Sequence, residues 1–251
     1  MAALSPTSAR RSPLIRGLGA VRNALLAPAW AYSGARVTHY YNQLLATHGL
    51  APQALAERAE DKDRAFYHQL LDGLALEPGL SVLDIGCGMG DLLAFLEARQ
   101  ITPGSYLGVD LVQGFLDHCQ ATHPAPYRFE RANFVTQRFA PGERYDLVVS
   151  MGVMVSRVIA YPAYVAACVE KMLGLANRYV VFNMITEVDR SQGNYQQAHK
   201  IGAITFLPRP QLERIVAGAA RAYGADFTIT ERRIYSDATD AFVRIAKPPA
   251  R

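Results

Sequence analysis

Short apolar runs alternate with amphipathic segments along most of the chain after residue 75. Strand-like runs occupy residues 81–85, 106–110, 127–130, 145–150 and 178–182, whereas residues 91–98, 115–119 and 164–173 place apolar side chains at helical spacing. The run at 145–150 is apolar enough to be buried on both faces of a parallel sheet. This alternation predicts an α/β domain with helices on both faces of a doubly wound sheet.

The alternation of strands and helices ends in the C-terminal part of the chain, where two strands follow one another directly. Pro210 occupies a plausible first-turn position of a helix that runs to about Tyr223. Two strand-like runs, 227–230 and 241–245, then follow with too few residues between them for a crossover helix, so we expect them to pair antiparallel. The predicted fold is therefore a seven-stranded, mostly parallel sheet with one antiparallel strand.

The segment before the first core strand has a different character. Residues 37–48 and 63–74 are spaced like amphipathic helices, which predicts a small helical cap over residues 35–74 before a core at 75–251. Residues 1–34 mix Pro, Ser, Gly and Arg, and no acidic residue precedes Glu57. We interpret 1–34 as a basic extension, flexible or docking on another surface; a transit peptide is the alternative.

The composition and charge of the chain limit the classes of protein to which it could belong. The 251-residue chain is half hydrophobic, carries a formal charge of +4 and has three widely separated cysteines. Their spacing predicts neither a disulfide framework nor a metal site. No apolar run approaches the roughly 20 residues that cross a bilayer, so we expect no transmembrane segment and a cytoplasmic location. A homodimer stays open, and the basic residues do not cluster as in nucleic-acid-binding proteins.

A glycine-rich turn follows the first core strand. It reads Asp84-Ile-Gly86-Cys-Gly88-Met-Gly90, and Asp110 ends the next strand twenty residues after Gly90. Glycines let the backbone approach a ligand, and an acid at that position can accept hydrogen bonds from both ribose hydroxyls of a nucleoside. A dinucleotide fingerprint would require glycine at residue 91, which is Asp91, so a dehydrogenase is disfavoured.

Three motifs resemble the class I S-adenosylmethionine-dependent methyltransferase family. They are VLDIGCGMGDL at residues 82–92, YLGVDL at 106–111 and YDLVVSMGVM at 145–154, and the resemblance covers roughly residues 75–247. It implies S-adenosylmethionine as cofactor, S-adenosylhomocysteine as product and a set of contacting residues. These are Asp84 near the amino group, Gly86, Cys87, Gly88 and Gly90 in the loop, Asp110 on the ribose, Leu111, Asn133 and Phe134 around adenine, and Ser150 and Met151 near the methyl group.

Candidate acceptor residues lie before the first strand and after the fourth and fifth strands, where open α/β sheets bind their ligands. As catalytic residues we predict Tyr40, Tyr41, Arg157 and Asn183, with Tyr161 and Thr186 as further candidates. Residues 187–206 are long and polar enough for a substrate lid, although an ordinary exposed excursion is the alternative. For His39 and His68 we favour a surface or packing position over a catalytic one.

The function predicted from the sequence is methyl transfer to a small-molecule acceptor at oxygen, nitrogen or carbon. In-line displacement from a sulfonium needs mainly alignment and exclusion of water. A hydroxyl acceptor would need a base, whereas an amine or activated carbon needs only deprotonation help or orientation by hydrogen bonds, so the use of a general base stays open. Two alternatives remain: an inactive cofactor-binding protein that regulates a partner, and a protein or nucleic-acid methyltransferase. For the latter, the sequence after the fourth strand lacks the Asn-Pro-Pro-aromatic signature of base methylation.

Overall fold

The computed structural model describes residues 13–56, 63–123, 125–191 and 195–248. Seven strands form one sheet in the order β3-β2-β1-β4-β5-β7-β6. Only β7 runs antiparallel to its neighbours, which confirms the predicted fold class. The strands are β1 Ser81–Ile85, β2 Ser105–Asp110, β3 Arg128–Arg131, β4 Tyr145–Ser150, β5 Ala176–Val188, β6 Asp226–Arg232 and β7 Ala238–Ala246.

Helices cover both faces of the sheet because strand side chains alternate between them. The described helices are α1 Pro13–His48, α2 Asp63–Leu71, α3 Asp91–Ala98, α4 Gln113–Thr122, α5 Tyr161–Leu175 and α6 Arg209–Tyr223. On one face Leu83 and Ile85 of β1 pack with α5 and α6. On the other face Val82 packs with α2, α3 and α4. β1 is therefore buried from both sides, and the turn that follows it is held by a rigid strand.

Helix α1 is far longer than the helix predicted at residues 37–48. It begins at Pro13 and passes through residue 34, the predicted boundary between the extension and the cap. Trp30 is buried and its Nε1 donates to the carbonyl of Ile159 at 3.0 Å, while the Ile159 N–H donates to Ser33 Oγ at 3.2 Å. These contacts dock the helix on the core. The division into extension, cap and core stays a prediction, and residues 1–12 lie outside the described ranges.

Two further element bounds differ from the sequence prediction. Helix α2 ends at Leu71 rather than residue 74, because Gly73 takes a positive φ of 74° and turns the chain. Strand β5 extends to Val188 rather than ending at residue 182, since β7 pairs with it from Tyr179 to Val188. Across the described ranges, no helix combines the length and apolarity that a bilayer crossing requires.

Candidate active site

The glycine turn between β1 and α3 is fixed by backbone hydrogen bonds to β2. The N–H groups of Gly86 and Cys87 both donate to the Val109 carbonyl, at 2.7 and 3.2 Å. Gly86 has a positive φ of 73°, and a Cβ added there would lie 2.1 Å from Val153 Cγ2. A short 3₁₀ turn, Val153–Val155, therefore packs directly against this glycine. Only a residue without a side chain fits.

Asp110, at the end of β2, joins this glycine turn to the start of α4. Its Oδ2 accepts the Gly88 N–H at 3.1 Å, and its Oδ1 accepts the Val112 N–H at 2.9 Å. Burial raises the pKa of Asp110, and the two backbone hydrogen bonds oppose that shift. Each carboxylate oxygen has a second lone pair, so the side chain can still accept hydrogen bonds from a ligand in the cavity that it lines.

A cavity of about 270 Å³ lies above the carboxyl ends of β1, β2 and β4 and along β5 and β7. We call the side next to the glycine turn the loop end; it is lined by Gly86, Gly88, Asp110, Leu111, Val112, Phe115 and Tyr41. We call the side formed by β5 and β7 the sheet end; it is lined by Asn183, Ile185, Ala238, Asp240 and Tyr195. The two ends belong to separate hydrophobic clusters.

Eleven of the predicted site residues line this one cavity. They are Tyr40, Tyr41, Asn183, Gly86, Cys87, Gly88, Asp110, Leu111, Asn133, Phe134 and Met151. The structure thus brings together residues that are spread over nearly 150 positions of the sequence. Their individual roles stay predictions.

Four predicted residues, Asp84, Gly90, Ser150 and Arg157, are not part of the cavity lining. Asp84 is 4% exposed, accepts the Tyr106 hydroxyl at 2.5 Å and lies inside the sheet, where burial raises its pKa to about 7. Gly90 caps the N-terminus of α3, and Ser150 is buried. Their predicted contacts with the cofactor stay predictions.

Arg157 is not among the described residues that line the cavity, and its role towards an anionic acceptor stays a prediction. Its guanidinium lies over the Tyr161 ring at 5.5 Å, and its backbone bonds to Gly202 and Ala203. The Tyr161 hydroxyl donates to the Met154 carbonyl at 2.5 Å. Packing onto a neighbouring aromatic ring thus decides where the side chain lies.

Two other predicted polar residues form hydrogen bonds to neighbouring groups of the protein. Thr186 Oγ1 donates to Glu231 Oε1 at 2.7 Å and does not line the cavity. Asn183 does line it, and its Oδ1 accepts the Gly152 N–H at 2.7 Å. This bond holds the chain after β4 in place and orients the Asn183 amide at the cavity wall.

Asn133 connects the cavity to α1. Its Nδ2 donates to the Trp30 carbonyl at 3.3 Å, and a Cβ on Gly34 would lie 2.4 Å from the same nitrogen. The loop after β3 therefore packs closely on α1, and the amide nitrogen of Asn133 is used in that contact. If Asn133 contacts the edge of adenine, as predicted, it would do so through its amide oxygen.

Comparison with known proteins places the fold in a family. Residues 82–174 match the family model described as a methyltransferase domain. One similar structure is magnesium protoporphyrin IX methyltransferase from Synechocystis PCC 6803 with bound S-adenosylhomocysteine, at 16% identity, 86% of this chain, 100% of that chain and a TM-score of 0.58. A second is an S-adenosylmethionine-dependent methyltransferase from Mesorhizobium loti, at 14% identity, 75% and 99% coverage and a TM-score of 0.56.

Residues 82–174 thus carry a methyltransferase domain, and the fold of the chain is that of S-adenosylmethionine-dependent methyltransferases. Another similar structure within this fold is an amino pentose methyltransferase from Micromonospora echinaspora, with 14% identity, 78% and 94% coverage and a TM-score of 0.52. No curated protein sequence matches the chain. The Synechocystis enzyme was solved both with S-adenosylhomocysteine and with S-adenosylmethionine bound, and the likeness to the solved structures, at these identities, extends to the fold alone.

Several lining residues were not predicted as site residues from the sequence. Among them are Phe66, Tyr67, Tyr235 and Asp240. Among these residues, only Asp240 had a signal in the sequence, because a carboxylate stands immediately before the predicted apolar strand 241–245. The sequence prediction placed Asp240 in the polar segment between the last two strands. The aromatic residues carry no local signal, because packing aromatics are common in any core.

The structure also places the Cys87 thiol, the two histidines and the predicted lid. Cys87 is hydrogen-bonded to Cys119 and buried, and both effects raise the pKa of its thiol well above the usual range. His39 is exposed and His68 pairs with Arg99 at 2.9 Å. In the predicted lid, Tyr195, Gly202 and Ile204 line the cavity, and residues 192–194 lie outside the described ranges. Lid motion stays a prediction.

Proposed function

We propose that the chain transfers a methyl group from S-adenosylmethionine to a small-molecule acceptor held in the cavity, mainly by positioning the two reactants. The observation that carries this proposal is that Asp110 and the glycine turn lie at one end of the same cavity whose other end is formed by β5 and β7. A cofactor at the loop end would direct its reactive group along the cavity towards the sheet end.

The residues at the loop end fit such a cofactor. The Asp110 carboxylate, held by two backbone N–H groups, would accept hydrogen bonds from the ribose hydroxyls. Leu111 and Phe134 supply apolar surface for adenine, and the turn from Gly86 to Gly88 allows close approach of the methionine part. When bound, S-adenosylmethionine supplies an electrophilic methyl group whose bond to sulfur breaks as its bond to the acceptor forms.

The protein's own contribution would be alignment and exclusion of water. Tyr41 packs in the same cluster as Leu111 and Phe115, which favours a role in covering the cofactor rather than in touching the acceptor. Tyr40 is in edge contact with Tyr41 at 5.3 Å between ring centroids. Asn183 lies at the sheet end, where its amide would orient the acceptor.

Calorimetric titration tests the cofactor part of the proposal. Purified protein is titrated with S-adenosylmethionine, with S-adenosylhomocysteine and with NAD as a control, and we expect binding of the first two only. Asp110→Ala should weaken that binding by about 1.5 to 3 kcal/mol through the lost charged hydrogen-bond acceptor. Asp117→Ala, an exposed acid on α4, is the matched control. If the two variants bind S-adenosylmethionine with equal affinity, Asp110 does not contact the cofactor.

A turnover assay tests the rest of the proposal. Cofactor and candidate small-molecule acceptors are incubated with the enzyme, and the methylated product is detected as a mass increase together with S-adenosylhomocysteine. Tight cofactor binding without methylation of any small acceptor would favour the regulatory alternative. Methylation of a protein or nucleic acid in preference to every small molecule would favour the macromolecular one.

A further inference from the structure

The loop between β3 and β4 forms part of the cavity wall. Residues 132–144 connect an edge strand of the sheet to β4, which lies beyond β2 and β1. This segment, which the structure describes in full, contains turns but no helix or strand. Ala132, Asn133 and Phe134 line the cavity. Because the loop has no regular ladder of hydrogen bonds, the positions of these residues depend on the contacts that hold it.

The start of the loop is held on two sides. The Ala132 N–H donates to the Asp110 carbonyl at 2.9 Å, and Asn133 Nδ2 donates to the Trp30 carbonyl at 3.3 Å. These bonds fix the backbone beside β2 and the Asn133 side chain against α1. Neither bond involves Phe134 or the residues that follow it, so that part of the loop is held by a different group.

That group is the ammonium of Lys171 on α5. Its Nζ donates to the backbone carbonyls of Phe134 and Gln137, and to the Val135 carbonyl at 3.4 Å. An ammonium carries three N–H donors, so all three have a carbonyl acceptor in the same loop. The loop backbone therefore closes around a single charge, and that charge belongs to a helix whose buried face packs in the core.

Two aromatic rings flank the same ammonium. Lys171 Nζ lies 4.9 Å from the centroid of the Phe134 ring and 5.1 Å from the centroid of the Phe139 ring. The two rings pack edge-on, with their centroids 5.9 Å apart. A cation within about 6 Å of the face of an aromatic ring is attracted to it. The charge of Lys171 therefore holds the Phe134 ring as well as the Phe134 carbonyl.

Lys171 acts on the cavity from behind its wall. Burial lowers the pKa of Lys171 to about 8, and the Cys168 thiol opposes that shift. The ammonium form still predominates at neutral pH, so the contacts with the carbonyls and rings are those of a charged group. Lys171 is not among the described residues that line the cavity. Its charge would therefore influence a ligand through the loop rather than by direct contact.

We infer that Lys171 is a positioning residue for the cofactor, because it fixes residues 134–139 so that the Phe134 ring stands ready for adenine before the ligand arrives. The inference rests on the proposed function, which places adenine against Leu111 and Phe134. A loop that is already ordered loses little conformational freedom on binding, which strengthens the affinity for the cofactor. Without the ammonium, the ligand itself would have to order the loop.

Lys171→Met tests this inference, because it keeps a long, unbranched side chain and removes the charge with its three donors. The affinity for S-adenosylhomocysteine is measured by calorimetry at a temperature where circular dichroism shows each protein to be folded. We expect binding about tenfold weaker than that of wild type, within the range that residues without ligand contact exert. Lys171→Arg keeps a charged donor group and should recover most of the loss. Equal affinities of Lys171→Met and wild type would overturn the inference.

Lys247→Met is the matched control. Lys247 Nζ also donates to two backbone carbonyls, those of Leu173 at 3.3 Å and Ala176 at 2.6 Å. It lies 5.2 Å from the centroid of the Tyr223 ring, and none of these residues belongs to the described cavity lining. We expect both Met variants to lose stability in urea and only Lys171→Met to lose affinity for S-adenosylhomocysteine. Equal losses of affinity would assign the effect to a general loosening of the fold and overturn the inference.

Hydrogen exchange in the free wild type tests the ordered loop without any variant. The N–H groups of Thr136 and Gln137 both donate to the Asn133 carbonyl, at 3.1 and 2.8 Å. If Lys171 holds the loop in the free protein, these two amides should exchange about tenfold or more slowly than in an unstructured chain. Exchange at the rate of an unstructured chain would overturn the inference. Absence of S-adenosylhomocysteine binding to wild type would instead contradict the proposed function, on which this exchange measurement does not depend.

Discussion

Gly86 shows how a single position in the turn is constrained twice. Its φ of 73° lies in the region that L side chains rarely adopt, and Val153 fills the space where a Cβ would project. The first constraint is local and belongs to the turn. The second comes from a residue 67 positions later in the chain, so it exists only in the folded protein.

Gly86→Ala should therefore destabilise the protein more than an alanine at an open glycine with a similar φ. Gly142 has a φ of 85° and nothing within 4 Å of an added Cβ, so Gly142→Ala carries the backbone cost alone, about 1 kcal/mol. For Gly86→Ala we expect roughly 2 to 4 kcal/mol, because overpacking against Val153 adds to it. Urea unfolding measures both. Equal losses would mean that the Val153 side chain moves aside at no cost.

Asp84 links the glycine turn to the pH dependence of stability. Burial raises its folded pKa from 3.8 to about 7, although the Tyr106 hydroxyl bonds to it. The folded state therefore binds a proton more tightly than the unfolded state. This contribution to stability is fully present below about pH 4 and is lost as the pH rises through about 7, on the order of 4 kcal/mol in all.

Asp84→Asn should flatten that part of the profile, because the amide has the same shape and does not ionise. Free energies of unfolding are measured for both proteins at about pH 5 and about pH 8, where the raised pKa makes the wild type lose more stability. Two other carboxyls with shifted pKa values, Asp110 and Asp146, are present in both proteins and contribute to both profiles. An identical pH dependence of the two proteins would contradict the raised pKa of Asp84.

At the scale of elements, α1 is held by a few long-range contacts rather than by a continuous apolar stripe. Trp30 bonds to Ile159, packs edge-on to Tyr164 at 5.9 Å and offers its carbonyl to Asn133. Pro28 lies inside the helix, where proline normally weakens it. The order of the helix in this region thus depends on its docking, and the docking in turn positions the Asn133 side of the cavity.

Trp30→Ala should remove much of that docking. Truncation of a buried tryptophan costs about 3 to 5 kcal/mol, and it also deletes the bond to the Ile159 carbonyl. Leu25→Ala on the same helix is the control, since Leu25 is 76% exposed and should change stability by less than about 0.5 kcal/mol. Urea unfolding and limited proteolysis of α1 measure the effect. Similar behaviour of the two variants would show that Trp30 does not anchor the helix.

At the scale of the whole molecule, both halves of the sheet and α1 together line the cavity. Lining residues come from α1, from the turn after β1, from the ends of β2, β4 and β5, and from the first residues of β7, the last strand of the chain. A ligand that fills the loop end would therefore reduce local opening in segments that are distant in sequence.

Hydrogen exchange with and without S-adenosylhomocysteine measures this directly. We expect slower exchange in residues 37–45 of α1, 86–92 and 110–116, since these segments surround the loop end. Helix α6 contributes no residue to the described lining and serves as the internal control. Protection of the glycine turn without any change in α1 would mean that α1 does not close over the ligand.

The sequence alone determined the order and type of most core elements. Apolar periodicity decides whether a segment is strand or helix, and the close spacing of the last two strands requires an antiparallel pair. The glycine turn and Asp110 could also be predicted, because they are local: a tight turn needs glycine, and the end of the next strand in a doubly wound sheet lies beside it.

Only the tertiary structure decided what depends on distant partners. Helix α1 docks on Ile159 through Trp30, and the Arg157 guanidinium lies over the Tyr161 ring. Asp240 lines the cavity because β5 and β7 pair beyond the edge of the parallel strands. The sequence prediction ended the fifth strand at residue 182 and began the last strand only at residue 241. Periodicity shows which face of a strand is apolar. How far two strands stay paired is set by contacts that periodicity does not contain.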